Sequence, residues 1–258
     1  MSLKISIITA TYNSESTIED TLKSVLKQTY KDLEHIIVDG NSKDNTMKIV
    51  KKYEKKYGGR LKYISEKDKG IYDAMNKGIK MATGDVIGIL NSDDVYASDT
   101  VLETIANTLK KDKSDGVYAD LLYVNEDLSK PVRKWVSGKG KIKNGWLPAH
   151  PTLYLKKEIY DKYGLYNLNY RITADYDFMI RINKDEQTNL SYIKENLVLM
   201  RIGGTSSDGI KGYLKNVKEA KMTLKNNGYK FVGLIIFKRI IRTLIQMIGA
   251  KFCTSDNI

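Results

Sequence analysis

Residues 84–96 read GDVIGILNSDDVY, and the change of character halfway along them decides how the rest of the chain is read. Val86-Ile87-Gly88-Ile89-Leu90 is a short, β-branched apolar run, as expected of a strand buried on both faces of a parallel sheet. A helix is the poorer reading, because the run is short and has a glycine inside it. At Asn91-Ser92-Asp93-Asp94 the chain turns polar. Two adjacent carboxylates at the mouth of a buried strand repel each other and resist desolvation. A hard divalent cation, Mn2+ or Mg2+, relieves both costs, and carboxylate oxygens are its preferred ligands. The competing reading is a solvated turn in which an aspartate caps the helix starting near Asp99.

Toward the N-terminus the same strand-then-helix pattern repeats. Residues 3–10 (LKISIITA) read as a buried strand that breaks at Thr11-Tyr12-Asn13-Ser14. Ser16 with Glu19 has capping-box spacing, and Ile18, Leu22, Val25 and Leu26 follow at helical intervals. Residues 33–38 (LEHIIV) form a second strand, with His35 as a packed core histidine, and Asp39-Gly40 ends it. Ile49, Val50, Tyr53 and Tyr57 mark the next helix, and residues 61–65 the third strand. A helix carrying Ile71, Ala74, Met75, Gly78 and Ile79 inward leads to the fourth strand. Four such units with short links predict an α/β fold, a Rossmann-like, mostly parallel sheet flanked by helices. Ligands bind beyond the carboxyl ends of such strands. That edge collects Thr9, Tyr12, Asp39, Asp44, Asp68, Asp93 and Asp94, an excess of carboxylates on a basic protein.

Toward the C-terminus the pattern changes. Residues 116–125 and 131–136 read as strands of a small antiparallel extension, and 138–151 as a loop holding Trp146 and His150. Residues 155–163 read as a short helix, 174–182 (ADYDFMIRI) as a helix opening with acids, 190–202 as extended, and 210–227 as a lysine-rich helix.

The chain has 258 residues and a net charge of +12, enough for a sizeable core and a charge that needs a partner. No zinc-ligand spacing or aromatic ribonucleoprotein signature appears, so the expectation is no nucleic acid. A nucleotide or an anionic membrane surface fits better. With Cys253 as the single cysteine, no internal disulfide is possible. That and the lack of a secretory pattern in the opening residues predict a cytoplasmic protein, and the net charge with the apolar, basic C-terminal stretch suggests a peripheral place on the inner face of the plasma membrane.

By Asp94 the chain resembles inverting family 2 glycosyltransferases of the GT-A fold, the enzymes of bacterial surface polysaccharides such as capsule and lipopolysaccharide. The stretches SIITATYNSESTIEDTLKSVLKQTY, IIVDGNSKDNT, SEKDKGIYDAMNKGIKMATGDVIGILNSDD and ITADYDFMIRI carry the resemblance over about residues 3–182. It implies a nucleotide-diphosphate sugar, UDP-linked in the first instance, as donor, and a glycan or lipid-linked molecule as acceptor. Asp39 then accepts from the base, and Thr9 and Tyr12 line it. Asp68 and Asn76 lie in the donor stretch. Asp93 and Asp94 match the DXD-type motif, Asp94 as direct metal ligand and Asp93 near ribose or metal; many relatives have aspartate where this chain has Asn91. Asp175 matches the catalytic base, since Asp177 two positions on points to another helix face. His150 and Trp146 are candidates for acceptor or diphosphate contact, with a structural role equally open for His150.

The implied domain is 1–205, with a nucleotide-sugar half at 1–114 and an acceptor half at 115–205; 206–258 is a C-terminal helical segment. Its stretch FVGLIIFKRIIRTLIQMIGAKF, with Lys238, Arg239 and Arg242, reads either as membrane-facing or as packed on the domain. No Gly-rich phosphate loop or GxGxxG follows the first strand, which argues against a nucleotidyltransferase and a dinucleotide oxidoreductase. The remaining rival is a non-catalytic sugar- or lipid-binding relative.

Overall fold

Alternate residues of the first strand feed two different cores, which is what a buried parallel strand must do. In the computed structural model, which describes residues 2–185, 187–203 and 209–249, this strand is β1 (Ile5–Thr11). Ile5 and Ile7 join a cluster with Leu22, Val50 and Tyr53, while Ile8 and Ala10 join one with Ala74, Met75 and Ile79. The first cluster includes α1 (Ile18–Leu26) and α2 (Thr46–Tyr57); the second includes α3 (Ile71–Met81). β1 lies parallel to β2 (Leu33–Asp39) and β4 (Val86–Ile89), and β2 to β3 (Leu61–Ser65).

The sheet continues past β4. The remaining strands are β5 (Val95–Tyr96), β6 (Gly116–Val124), β7 (Pro131–Trp135), β8 (Tyr154–Lys156) and β9 (Leu190–Arg201). The order is β3-β2-β1-β4-β8-β6-β9-β5, with β7 paired antiparallel to β6. β8 runs antiparallel to both β4 and β6, whereas β6 and β9 are parallel. Gly88 has a reason inside β4: a Cβ there would stand 2.0 Å from the Tyr154 ring. The remaining helices are α4 (Val101–Asp112), α5 (Lys157–Tyr163), α6 (Ala174–Lys184), α7 (Gly209–Asn226) and α8 (Val232–Gly249).

The expected fold class is observed, a mostly parallel sheet flanked by helices with some antiparallel strands. Several details differ. The 116–136 hairpin is not a separate extension, because β6 is built into the main sheet between β8 and β9. The first residues of 155–163 belong to β8, whose short pairing with β4 overrides their helical pattern. The Ser16–Glu19 capping box does not form: Glu19 accepts from Tyr53 Oη at 2.8 Å and pairs with Lys23 at 3.4 Å. Ile71 is 44% exposed at the start of α3 rather than inward.

Both cores draw on residues from the two halves of 1–205, and Ala220, Leu224, Ile235 and Ile236 bring α7 and α8 into one of them. Of the 206–258 segment, residues 206–208 and 250–258, with Cys253, lie outside the described residues. Among the described residues no helix is long and apolar enough to cross a membrane.

Candidate active site

The register of β1, β2 and β3 sets Thr11, Asp39 and Ser65 in one row at the carboxyl edge of the sheet. Asp39 is fully buried there. It accepts from the Ser42 backbone N–H at 3.1 Å, from Ser65 Oγ at 2.5 Å, and from Ser42 Oγ. Thr11 Oγ1 is buried beside this row with no partner. Above the edge stands Tyr12, 61% exposed. Tyr12 and Asp68 converge on Gly40, where a Cβ would lie 2.6 Å from Asp68 Oδ2 and 3.3 Å from Tyr12 Cδ2. Asp68 Oδ1 accepts from Gly70 N–H at 2.8 Å, so this carboxylate also braces the start of α3. Asp44 instead knits its own turn, accepting from Thr46 and from Glu15 N–H.

Thr9 is not at this edge. Its hydroxyl is buried, donating to the Leu90 carbonyl at 2.7 Å and lying 2.9 Å from His35 Nε2. His35 Nδ1 in turn meets Tyr57 Oη at 2.8 Å, and burial pushes the imidazole pKa down to about 3. His35 is therefore the packed core histidine that its strand position predicted. The threonine that reaches the edge is Thr11, two residues on and on the same strand face.

Beyond β4, the NSDD turn is held from three sides. Ser92 Oγ lies 2.9 Å from Ser14 Oγ of the first loop. Asn91 Nδ2 donates to Asp94 Oδ2 at 2.9 Å. Arg201, at the end of β9 and 6% exposed, donates to the Asp93 carbonyl at 2.6 Å, to Asp20 Oδ2 at 2.6 Å and to the Glu126 carbonyl at 2.8 Å. Arg201 carries no local sequence signal; only the pairing of β9 with β6 brings it here.

The two aspartates of the turn differ in access. Asp94 is fully buried, with Oδ1 unpartnered, while Asp93 is only partly buried. Burial raises the pKa of both, and the Asp93 charge raises Asp94 further. Among the described residues no cluster of three or more His, Cys, Asp or Glu forms a ready-made metal cage. An orphaned buried carboxylate oxygen beside a partly open carboxylate does fit a hard cation whose other ligands are water and substrate phosphate.

Across from this edge, Asp175 is the second residue of α6 and partly exposed. Tyr72 Oη, from the first turn of α3, lies 3.0 Å from Asp175 Oδ1. Asp177 faces elsewhere, buried in an ion pair with Arg181 at 2.9 Å and accepting from Asn227. His150 is near enough for the Asp175 charge to oppose the lowering of its pKa by burial, and its Nε2 is 3.1 Å from Tyr166 Oη.

Two expected contacts are internal instead. Asn76 exchanges both bonds of its amide with the Tyr166 backbone, each at 2.9 Å, and is 6% exposed. These bonds hold the segment before α6. Trp146 is 2% exposed, and its indole N–H is held between the Ser137 and Gly138 carbonyls, which pins its loop.

Residues 6–195 match the family described as Glycosyl transferase family 2. A "PGL/p-HBAD biosynthesis glycosyltransferase" of Mycobacterium tuberculosis is 33% identical over 185 residues, 68% of this chain and 68% of the relative. Among solved structures, S. aureus TarS 1-349 in complex with UDP-GlcNAc superposes with a TM-score of 0.71 at 19% identity, covering 96% of this chain and 79% of that one. The chain spans 44% of a longer TarS structure. The mannosyltransferase PcManGT of Pyrobaculum calidifontis, in complex with GDP-Man and Mn2+, gives a TM-score of 0.69 at 14% identity, covering 99% of this chain and 77% of that one.

Proposed function

Because the chain belongs to glycosyl transferase family 2, we propose that it transfers a sugar from a UDP-linked donor to a hydroxyl of a glycan or lipid-linked acceptor, in the building of a cell-surface polysaccharide. The observation that carries this reading is the meeting of two sets of residues at one sheet edge. Asp39, Tyr12, Asp68 and Asp93 are gathered by the parallel strands, and Asp175 is presented from the other half on α6, tied to the first by Tyr72.

Tyr12 offers an exposed ring on which a base can stack, and Asp39 a carboxylate at the bottom of the same row for a base N–H. Asp93 and Asp94 are the residues that would hold a divalent cation here, Asp93 from the more open position and Asp94 through its unpartnered oxygen. Mn2+ or Mg2+ bound there supplies Lewis-acid neutralisation of the diphosphate. Asp175 accepts the proton of the acceptor hydroxyl as that oxygen attacks the anomeric carbon. The new C–O bond forms as the bond to the diphosphate oxygen breaks, and a single in-line displacement inverts the anomeric centre. His150 and Tyr166 border the acceptor side of Asp175. A lipid-linked acceptor places the enzyme peripherally on the inner face of the plasma membrane.

Titration calorimetry of UDP, with GDP and dTDP as controls, with and without Mn2+, on wild type and Asp93→Ala tests this. The expected result is metal-dependent UDP binding that the variant loses. No nucleotide binding under either condition would leave a non-catalytic relative of the same fold as the better description.

A further inference from the structure

α8 is amphipathic in an inverted sense: its two arginines face the protein, Lys238 reaches only Asn144 Oδ1 at 3.5 Å at the surface, and most of the large apolar side chains face out. Arg239 lies over the Tyr176 ring at 4.7 Å, and Arg242 donates to the Ser137 carbonyl at 2.9 Å. Ile235 and Ile236, each 4% exposed, complete the packed face. On the opposite side Phe231, Leu234, Phe237, Ile241, Leu244 and Ile245 are 40–76% exposed. Their steps of three and four residues make one stripe along the helix. A contiguous apolar face of this kind marks an interaction surface.

The charges around the stripe select the partner. Lys215, Lys218, Lys221 and Lys225 on α7 and Lys230 in the turn before α8 are exposed. The one acidic residue in the two helices, Glu219, is turned inward, accepting from the Ile172 and Thr173 backbone N–H groups at 2.7 and 2.8 Å. The described surface of the hairpin is thus apolar and cationic. Two copies meeting on it would bring like charges together, which opposes self-association. A partner that is anionic at its surface and apolar beneath matches both features.

We propose that the outer face of the α7–α8 hairpin docks on an anionic lipid bilayer, with the α8 stripe at the headgroup–acyl boundary and the α7 lysines on the headgroups. This deepens the proposed function and rests on it for its purpose, since a lipid-linked acceptor is met at that surface. The attachment of α8 serves the same end. A Cβ at Gly145, whose φ is +73°, would stand 2.4 Å from the Arg239 backbone nitrogen, so the acceptor-side loop lies directly on the helix. Gln246 Nε2 adds a bond to the Val136 carbonyl at 3.0 Å. The loop that runs on to His150 is therefore fixed to the element that meets the lipid.

The test is co-sedimentation of the full chain with vesicles of phosphatidylcholine alone and of phosphatidylcholine with phosphatidylglycerol. Wild type is expected in the pellet with the anionic vesicles, and largely in the supernatant with neutral ones. Phe237→Ser with Leu244→Ser, both at exposed positions, should weaken anionic-vesicle binding by about tenfold or more. Each lysine changed to glutamine at 215, 218 or 221 should weaken it by about fivefold. UDP titration of the same variants should match wild type. Wild type remaining in the supernatant, or variants binding as wild type does, would overturn the proposal. So would a wild-type dimer in solution that the double serine variant splits. Vesicle binding without UDP binding would remove the donor reading while leaving the docking surface intact.

Discussion

Tyr72 Oη stands 3.0 Å from Asp175 Oδ1, a bond between the first turns of α3 and α6 that joins the first half of the fold to the second. The same hydroxyl is 2.8 Å from the Ile172 carbonyl oxygen, so one proton faces two acceptors. Burial first, and then the Asp175 charge, push the phenol pKa far up, which keeps Tyr72 a donor at every working pH. The carboxylate is thereby aimed by a residue of the other half.

Removing the carboxylate and removing its support should then give different kinetics. Asp175→Asn should lower turnover by about 10²–10⁴-fold while UDP affinity stays as in wild type. Tyr72→Phe should lower kcat by about tenfold, the loss of one charge-assisted bond, with the donor KM unchanged. Steady-state kinetics on both variants reads this split. Unchanged turnover in Asp175→Asn would remove Asp175 from the chemistry.

The Asp93–Asp94 pair gives a pH dependence of defined sign. Both carboxyl groups hold their protons to higher pH than ordinary carboxylates, Asp94 the more strongly, through burial and its neighbour's charge. A cation must displace what proton remains, so metal-dependent UDP binding should strengthen as pH rises through the acid range and release protons. Calorimetry in buffers of different ionisation enthalpy detects that release. A folded-state pKa raised in this way destabilises the metal-free protein above it and restores stability as pH falls through it. Asp94→Asn should accordingly stabilise the metal-free protein at neutral pH by about 1–2 kcal/mol in thermal unfolding. The same change should weaken metal-dependent UDP binding.

Arg201 fixes the backbone of the turn at residues 91–94 from a strand more than a hundred residues away. Arg201→Met would leave the Asp93 and Glu126 carbonyls without this donor and Asp20 without its partner, costing about 2–4 kcal/mol. Metal-dependent UDP affinity should fall with it, because Asp93 would no longer be held in place. Denaturant unfolding and UDP titration measure the two effects separately.

The parts of the fold and site visible in the sequence are those set by short-range pattern. β1 to β4 and α1 to α3 follow from apolar period and turn residues, and the carboxylates at strand ends follow from the parallel topology those units impose. What the sequence concealed depends on pairing across long separations. Three-residue β8 is a strand only because β4 and β6 flank it. Arg201 reaches Asp93 only because β9 pairs with β6. Thr9 and Thr11 share a strand face and differ only in where β1 ends, and strand ends are what a sequence marks least well. Asn76 and Trp146 are polar or aromatic residues near the site whose partners are backbone groups, which no side-chain pattern announces.

Glu34 provides a stability prediction with the opposite pH sign to Asp94. It is 2% exposed in β2, where burial alone would raise its pKa. Hydrogen bonds from Lys62, Ser6 and the Thr83 backbone and hydroxyl outweigh that and hold it down at about 2. The folded pKa lies below the ordinary 4.5, so the group's stabilisation is fully present above about pH 4.5 and is lost as pH falls through about 2. Glu34→Gln should remove about 2–3 kcal/mol at neutral pH, since Lys62 and Lys4 lose their counter-charge at 2.7 and 3.3 Å. Its unfolding free energy should also vary less than that of wild type between pH 4.5 and 2. A wild-type acid limb that survives the substitution unchanged would mean that other carboxylates, not Glu34, govern acid stability.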